Sequence, residues 1–243
     1  MKNRNLRLYI LLLVLCFSGA AGLMNQVVWQ RALKVFFGGS ETISSMIVVL
    51  VFLAGLGVGS KWIGGRMRSI EWPTRTLAII ELLLAVTNFL VCQLLSLNPT
   101  ESIYFFQKTA ITLGFPLRLV YALGATLLLA APCFLMGTTL PLAAHGCQTD
   151  LELNESRFVN RLYAVNTFGS VLGALAGLGS FVPRYGQRLT LVFAAALNLL
   201  AATILFFMSQ RATTPGLAVK REDPSEPSVR GADFRFDGFI ILA

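Results

Sequence analysis

Six long stretches of this chain are nearly free of charge: residues 8–30, 42–60, 76–100, 119–149, 162–183 and 189–210. Each reaches or exceeds the ~18–20 residues that a helix rising ~1.5 Å per residue needs to cross a ~30 Å hydrocarbon layer. Only Glu81 and His145 interrupt them with an ionisable side chain other than cysteine or tyrosine. Strands of about 4–8 residues are excluded by length. A helix also satisfies its own backbone polar groups, as a lipid-exposed segment must. The pattern predicts an all-α, polytopic membrane protein with six transmembrane helices. Composition agrees, because 13% of residues are charged, about half the ~25% of soluble domains.

The first stretch opens like a secretory signal, with a basic start and an apolar centre in "MKNRNLRLYILLLVLCFSGAAG". Its uncharged run continues past Ala21 to Gln30, and Cys16 lacks the small preceding residue of a lipoprotein site. A retained first helix is expected.

The chain carries a net charge of +8, and its basic residues fall in the gaps between the apolar runs. With the N-terminus inside, the inner segments hold Lys2, Arg4 and Arg7, then Lys61, Arg66, Arg68 and Arg75, then Arg157 and Arg161, with five more after residue 210. The outer segments hold Arg31, Lys34, Lys108, Arg118, Arg184 and Arg188. The positive-inside rule then puts both termini in the cytoplasm of a plasma (inner) membrane protein. Residues 101–117, with aromatics at 104–106, are expected along the outer interface. The six-helix domain ends at 210. Residues 211–237, with three prolines and mixed charge, read as a disordered cytoplasmic linker, and 238–243, "GFIILA", as the start of a seventh apolar segment cut short.

Several functions are excluded. No basic run with interleaved aromatics could track a phosphate backbone, so nucleic acid is not an expected partner. Four cysteines without C-x-x-C spacing and a single histidine give neither a disulfide framework nor a usual zinc site, and no cofactor or metal is expected. Nor is there an H-E-x-x-H or G-x-S-x-G from which to assemble catalysis.

The stretch "VFLAGLGVGSKWIGGR" (51–66) resembles a phosphate-cradling loop locally, with Gly55-x-Gly57-x-Gly59 and Glu81 further on. Its flanks deny that reading. The uncharged run before the glycines is far longer than one strand, and Gly64, Gly65 and Pro73 spoil a crossover helix. Gly55 and Gly59 instead form a G-x-x-x-G pair, a face on which helix backbones approach closely in lipid. Gly169, Gly173 and Gly177 repeat the device in the fifth run. These are the second helices of two triplets, which suggests a 3+3 inverted repeat of the secondary-transporter kind.

Polar residues inside the runs are candidates for a substrate or proton pathway: Glu81, Asn88 seven residues on, Asn25 and Gln26 near the outer end of the first helix, and Asn166 in the fifth. The alternative for the amides, with Asn198, is hydrogen bonding between helices. Glu81 lies five residues into its charge-free run, about 7 Å by helical rise. An ion pair with Arg75 or Arg66 is the expected structural role. His145 reads as interfacial, and Pro132 and Pro141 as kinks in the fourth helix.

Three blocks, "FSGAAGLMNQVVWQRAL" (17–33), "LMGTTLPLAAH" (135–145) and "RLYAVNTFGSVLGALAGLGSFVPRYG" (161–186), carry a resemblance. With the glycine-rich stretch, they resemble the N-terminal membrane half of the fused major-facilitator/spermidine-synthase-like proteins, over most of residues 9–208. The resemblance implies half of a major-facilitator-like fold, handling or transporting a small, polyamine-related solute and needing a second membrane half. It also implies a following aminopropyltransferase-like domain, which this chain lacks. Two alternatives follow: a membrane anchor or scaffold for such an enzyme, and a truncated fragment without function.

Overall fold

The structure is a computed structural model; it describes residues 2–37, 41–149, 151 and 156–210. The expected linker and seventh segment lie outside them. The described residues are almost all helical, with no strand among them. In chain order they form α1 (Lys2–Phe37), α2 (Glu41–Gly64), α3 (Pro73–Leu95), α4 (Pro99–Leu113), α5 (Leu117–Thr149), α6 (Ser156–Ala176) and α7 (Val182–Gln210). A 3₁₀ turn, Met67–Ser69, lies between α2 and α3, and a π turn, Gly177–Phe181, joins α6 to α7.

Five stretches are long and apolar enough to cross a membrane: Asn5–Val35, Thr42–Gly64, Pro73–Leu95, Leu117–Thr149 and Phe158–Gln210. The last takes in both α6 and α7. At 53 residues it would be ~80 Å long if straight, but it is not straight. Gly186 has φ 78° and ψ 175°, a conformation open to glycine and closed to residues with a Cβ, and the helix breaks there. Phe181 before the break stacks on Phe193 after it, with ring centroids 4.5 Å apart.

Local chemistry sets the other boundaries. Pro73 occupies the first turn of α3, where no backbone N–H is missed. The Asn98 side chain accepts from the Thr100 backbone N–H at 3.1 Å and caps α4. Gly114, in the left-handed region at φ 68°, ends it. At 15 residues α4 is only ~22 Å long. It packs on the start of α5 through Phe106 against Tyr121.

Two apolar cores fix how the helices run. One gathers Leu8 and Leu11 of α1, Leu77 and Ala78 of α3, Leu142 and Cys147 of α5, Leu162 of α6 and Leu205 of α7. We call this the lower core, since α1 begins there. The upper core gathers Trp29 and Leu33 of α1, Val48 of α2, Val91 and Cys92 of α3, Ala125 and Leu129 of α5 and Leu191 of α7. Helices α1, α3 and α6 therefore rise from the lower core, while α2, α5 and α7 descend toward it.

The closest contacts run along glycines. A Cβ on Gly169 would strike the Cys16 backbone, and one on Gly173 the Ala20 backbone, so α1 and α6 pack side by side and parallel. Gly177 continues the ladder, where an added Cβ would lie 3.2 Å from the Met24 Cγ. A Cβ on Gly55 would lie 2.5 Å from the Cys133 Cβ, and Gly59 abuts Phe134 and Gly137, so α2 and α5 form a second parallel pair. That pair carries a further device. Pro141 lacks the N–H that would bond to the Gly137 carbonyl four residues back. The Ser60 hydroxyl of α2 donates to that carbonyl at 2.8 Å instead. Glycine, proline and serine on two helices thus meet one another's needs.

Candidate functional site

Helix α3 packs between α5 and α7, and α7 also packs on α1. Along the seam of α1, α3 and α7 lie Ser18, Asn25, Glu81, Asn88 and Asn198, all buried. Their spacing follows from helix geometry. The Ser18 hydroxyl stands beside the Glu81 carboxyl, though not in a hydrogen bond of good geometry. Asn25 is seven residues above Ser18 and Asn88 seven above Glu81 on helices that rise together, so the two amides stand ~10 Å higher and on the same faces. On descending α7, the contact of the Cys92 thiol with the Arg188 carbonyl, at 3.6 Å, sets the register. Counting from it, Asn198 comes level with Glu81. The seam therefore has a lower storey of Ser18, Glu81 and Asn198 and an upper storey of Asn25 and Asn88.

Trp29, one turn above Asn25, is fully buried in the upper core. Among the described residues, none of its indole N–H, the two Glu81 oxygens, or the amide atoms of Asn25, Asn88 and Asn198 has a hydrogen-bond partner. The buried threonines nearby behave differently: Thr138 and Thr139 donate to the carbonyls of Leu135 and Met136 on their own helix.

Two expectations for Glu81 are corrected. Helix α3 begins at Pro73, not where the charge-free run begins, so Glu81 lies eight residues in, ~12 Å by helical rise. It stands near the middle of the helix and is completely buried. The ion pair is not made: Arg66 stacks on Trp62, 4.3 Å from the ring centroid, and Arg75 is exposed. Asn25 is likewise further from a helix end than expected, since α1 runs on to Phe37. Gln26, next to it, is also buried.

Asn166 does not belong to the seam. It is half-buried on α6, where its side-chain oxygen faces Gly19 of α1. The structure thus sets Glu81, Asn88 and Asn25 along one seam, buries Gln26 next to Asn25 in the chain, and leaves Asn166 at the α1–α6 contact. Sequence reasoning had no place for Ser18 or the Trp29 indole. Asn198 carried a signal in retrospect: Ala194, Ala195, Ala201 and Ala202 around it mark the buried face of α7.

Among the described residues no three His, Cys, Asp or Glu side chains gather as a metal site would require. No protein-family profile matches the chain, and no curated protein is significantly similar to it.

Proposed function

We propose that the chain is a six-span membrane domain of the 3+3 inverted-repeat kind, handling a small solute in exchange with protons at Glu81. The observation that carries the functional part is Glu81 itself. An unpartnered carboxyl at mid-membrane depth is costly, and such groups persist where a proton or substrate uses them.

The six-span count follows if α6 and α7 each cross, reversing at Gly186, with short α4 on the upper side. The pattern of helix contacts supports the repeat. Exchanging α1, α2 and α3 with α5, α6 and α7 turns the α1–α6 contact into the α5–α2 contact and the α1–α7 contact into the α5–α3 contact, and leaves α3–α7 unchanged. Residues follow the same exchange. Cys16-Phe17 and Cys133-Phe134 are the same dipeptide, and each cysteine receives the first glycine of a G-x-x-x-G pair, Gly169 and Gly55 respectively. The lower core lies on the cytoplasmic side in this reading, and so does the N-terminus.

Such a unit is one half of an enclosing structure. Its second half is a partner chain, a further stretch of polypeptide or a second copy. The polyamine class of solute rests on the resemblance of the three sequence blocks. The test is flux in proteoliposomes containing the chain, with labelled putrescine or spermidine and an internal pH dye. Expected is solute movement coupled to protons, lost in Glu81→Gln although that variant inserts normally. Recruitment of an aminopropyltransferase-like enzyme, with no flux and no effect of the substitution, would replace transport by anchoring.

A further inference from the structure

Nine buried side-chain atoms on five residues of one seam have no partner: Nδ2 and Oδ1 of Asn25, Asn88 and Asn198, both Glu81 oxygens, and Trp29 Nε1. Native interiors leave very few such atoms, and buried amides in a bundle ordinarily bond to a neighbouring helix. Here they occupy two storeys, too far apart to bond across the ~10 Å rise. A rise of ~10 Å matches the length of about three waters in hydrogen-bonding sequence, and the unpartnered atoms at its two ends are of the kind a buried water bonds to.

We propose that the α1–α3–α7 seam holds a file of internal waters that relays a proton between Glu81 and the Asn25–Asn88 storey. This rests on the membrane reading above and names the ligand of that same site. The seam is closed below by Leu8, Leu11, Leu77 and Leu205 and above by Val28, Trp29, Leu33, Val91 and Leu191. Apolar side chains thus bound the seam at both ends, a lining unsuited to a multiply charged polyamine.

The charge environment supports a proton. From α1 the seam receives a hydroxyl, an amide and an indole, and from α7 an amide. Helix α5, packed on the other side of α3, brings Cys147 into the lower core and half-buried His145 near its end, and its only Lys or Arg is exposed Arg118 at its opposite end. With no cation beside it among the described residues, the Glu81 carboxyl is tolerated in hydrocarbon as the neutral acid. In each relay step the Glu81 O–H bond breaks as an O–H bond forms on the adjacent water, and each water passes one of its own protons to the next. The excess proton rests on the water held at the Asn25–Asn88 storey until the same path carries it back to the Glu81 carboxylate. The amides and the indole stay neutral and hold the waters in line. The return step restores the acid.

The test uses the full chain in lipid nanodiscs with no solute, read by infrared difference spectroscopy on transfer from H₂O to D₂O. Expected is a carboxylic-acid C=O band that Glu81→Gln deletes and that shifts as its proton exchanges for deuterium. Asn25→Leu with Asn88→Leu should keep the band and slow its exchange at least tenfold. Should that pair fail to insert, Asn88→Leu alone is read the same way. No Glu81-dependent acid band in the unmodified chain overturns the proposal, as does a band whose exchange the leucines leave unchanged. Solute flux without such a band would sink this inference and spare transport; an exchanging band without flux would do the reverse.

Discussion

At the scale of single residues, Glu81 is an apolar position occupied by an acid. Its helical neighbours Leu77, Ile80 and Leu84 are buried and apolar, and Leu205 of α7 joins the same core. A buried polar group without a protein partner costs about 1–3 kcal/mol, and water recovers part of this. Glu81→Leu should therefore raise the unfolding temperature in detergent, by the equivalent of about 1 kcal/mol, while abolishing proton exchange. A fall in melting temperature would mean that Glu81 holds a structural bond after all. Gly186 poses the opposite case. Its backbone conformation excludes a Cβ, so Gly186→Ala should destabilise by about 1–3 kcal/mol in the same assay. Gly57 faces open space inside α2, and Gly57→Ala should be neutral or stabilising by up to about 1 kcal/mol.

At the scale of elements, close packing of parallel helices carries the fold. Gly173 on α6 and Gly55 on α2 each press against the backbone of a helix distant in sequence. Bulk at either should force the pair apart, costing about 1–3 kcal/mol or more. Gly173→Val and Gly55→Val are expected to melt earlier than the parent in detergent, and Gly179→Val much less, since a side chain there meets nothing. Equal losses at all three would show that glycine flexibility, not contact, is what matters. The helices were legible in the sequence because charge cannot be hidden in lipid, and the glycine ladders because their spacing matches a helical face. Their partners were not legible, since a ladder states that something comes close without saying what. The depth of Glu81 was misjudged for a related reason. Arg75 ends the charge-free run yet lies inside α3, because a long basic side chain can keep its head in water while its backbone is helical.

At the scale of the whole molecule, the helices alternate in direction and leave one question of sign: which core faces the cytoplasm. The described basic side chains divide evenly between the two ends. Arg7, Lys61, Arg66, Arg68, Arg75 and Arg161 lie toward the lower core, and Arg31, Lys34, Lys108, Arg118, Arg184 and Arg188 toward the upper. The excess that the positive-inside reading counts comes from Lys2, Arg4 and Arg157 and the basic residues after 210 in the sequence. Helix packing can overrule a charge bias of this kind, and thiol labelling reads the orientation directly. Cys147 would be a poor reporter because it is buried, as are Cys92 and Cys133; Cys16 is partly covered within α1. That leaves a quiet background for introduced thiols. Ser69, in the exposed turn between α2 and α3, and Leu97, exposed between α3 and α4, mark opposite ends of α3. In intact cells a membrane-impermeant maleimide should label Leu97→Cys and spare Ser69→Cys until the membrane is opened. The reverse pattern would invert the domain, putting the lower core outside and the Asn25–Asn88 storey nearer the cytoplasm. The seam would survive that inversion unchanged, because its burial depends on packing among α1, α3 and α7 and not on which side the protons enter.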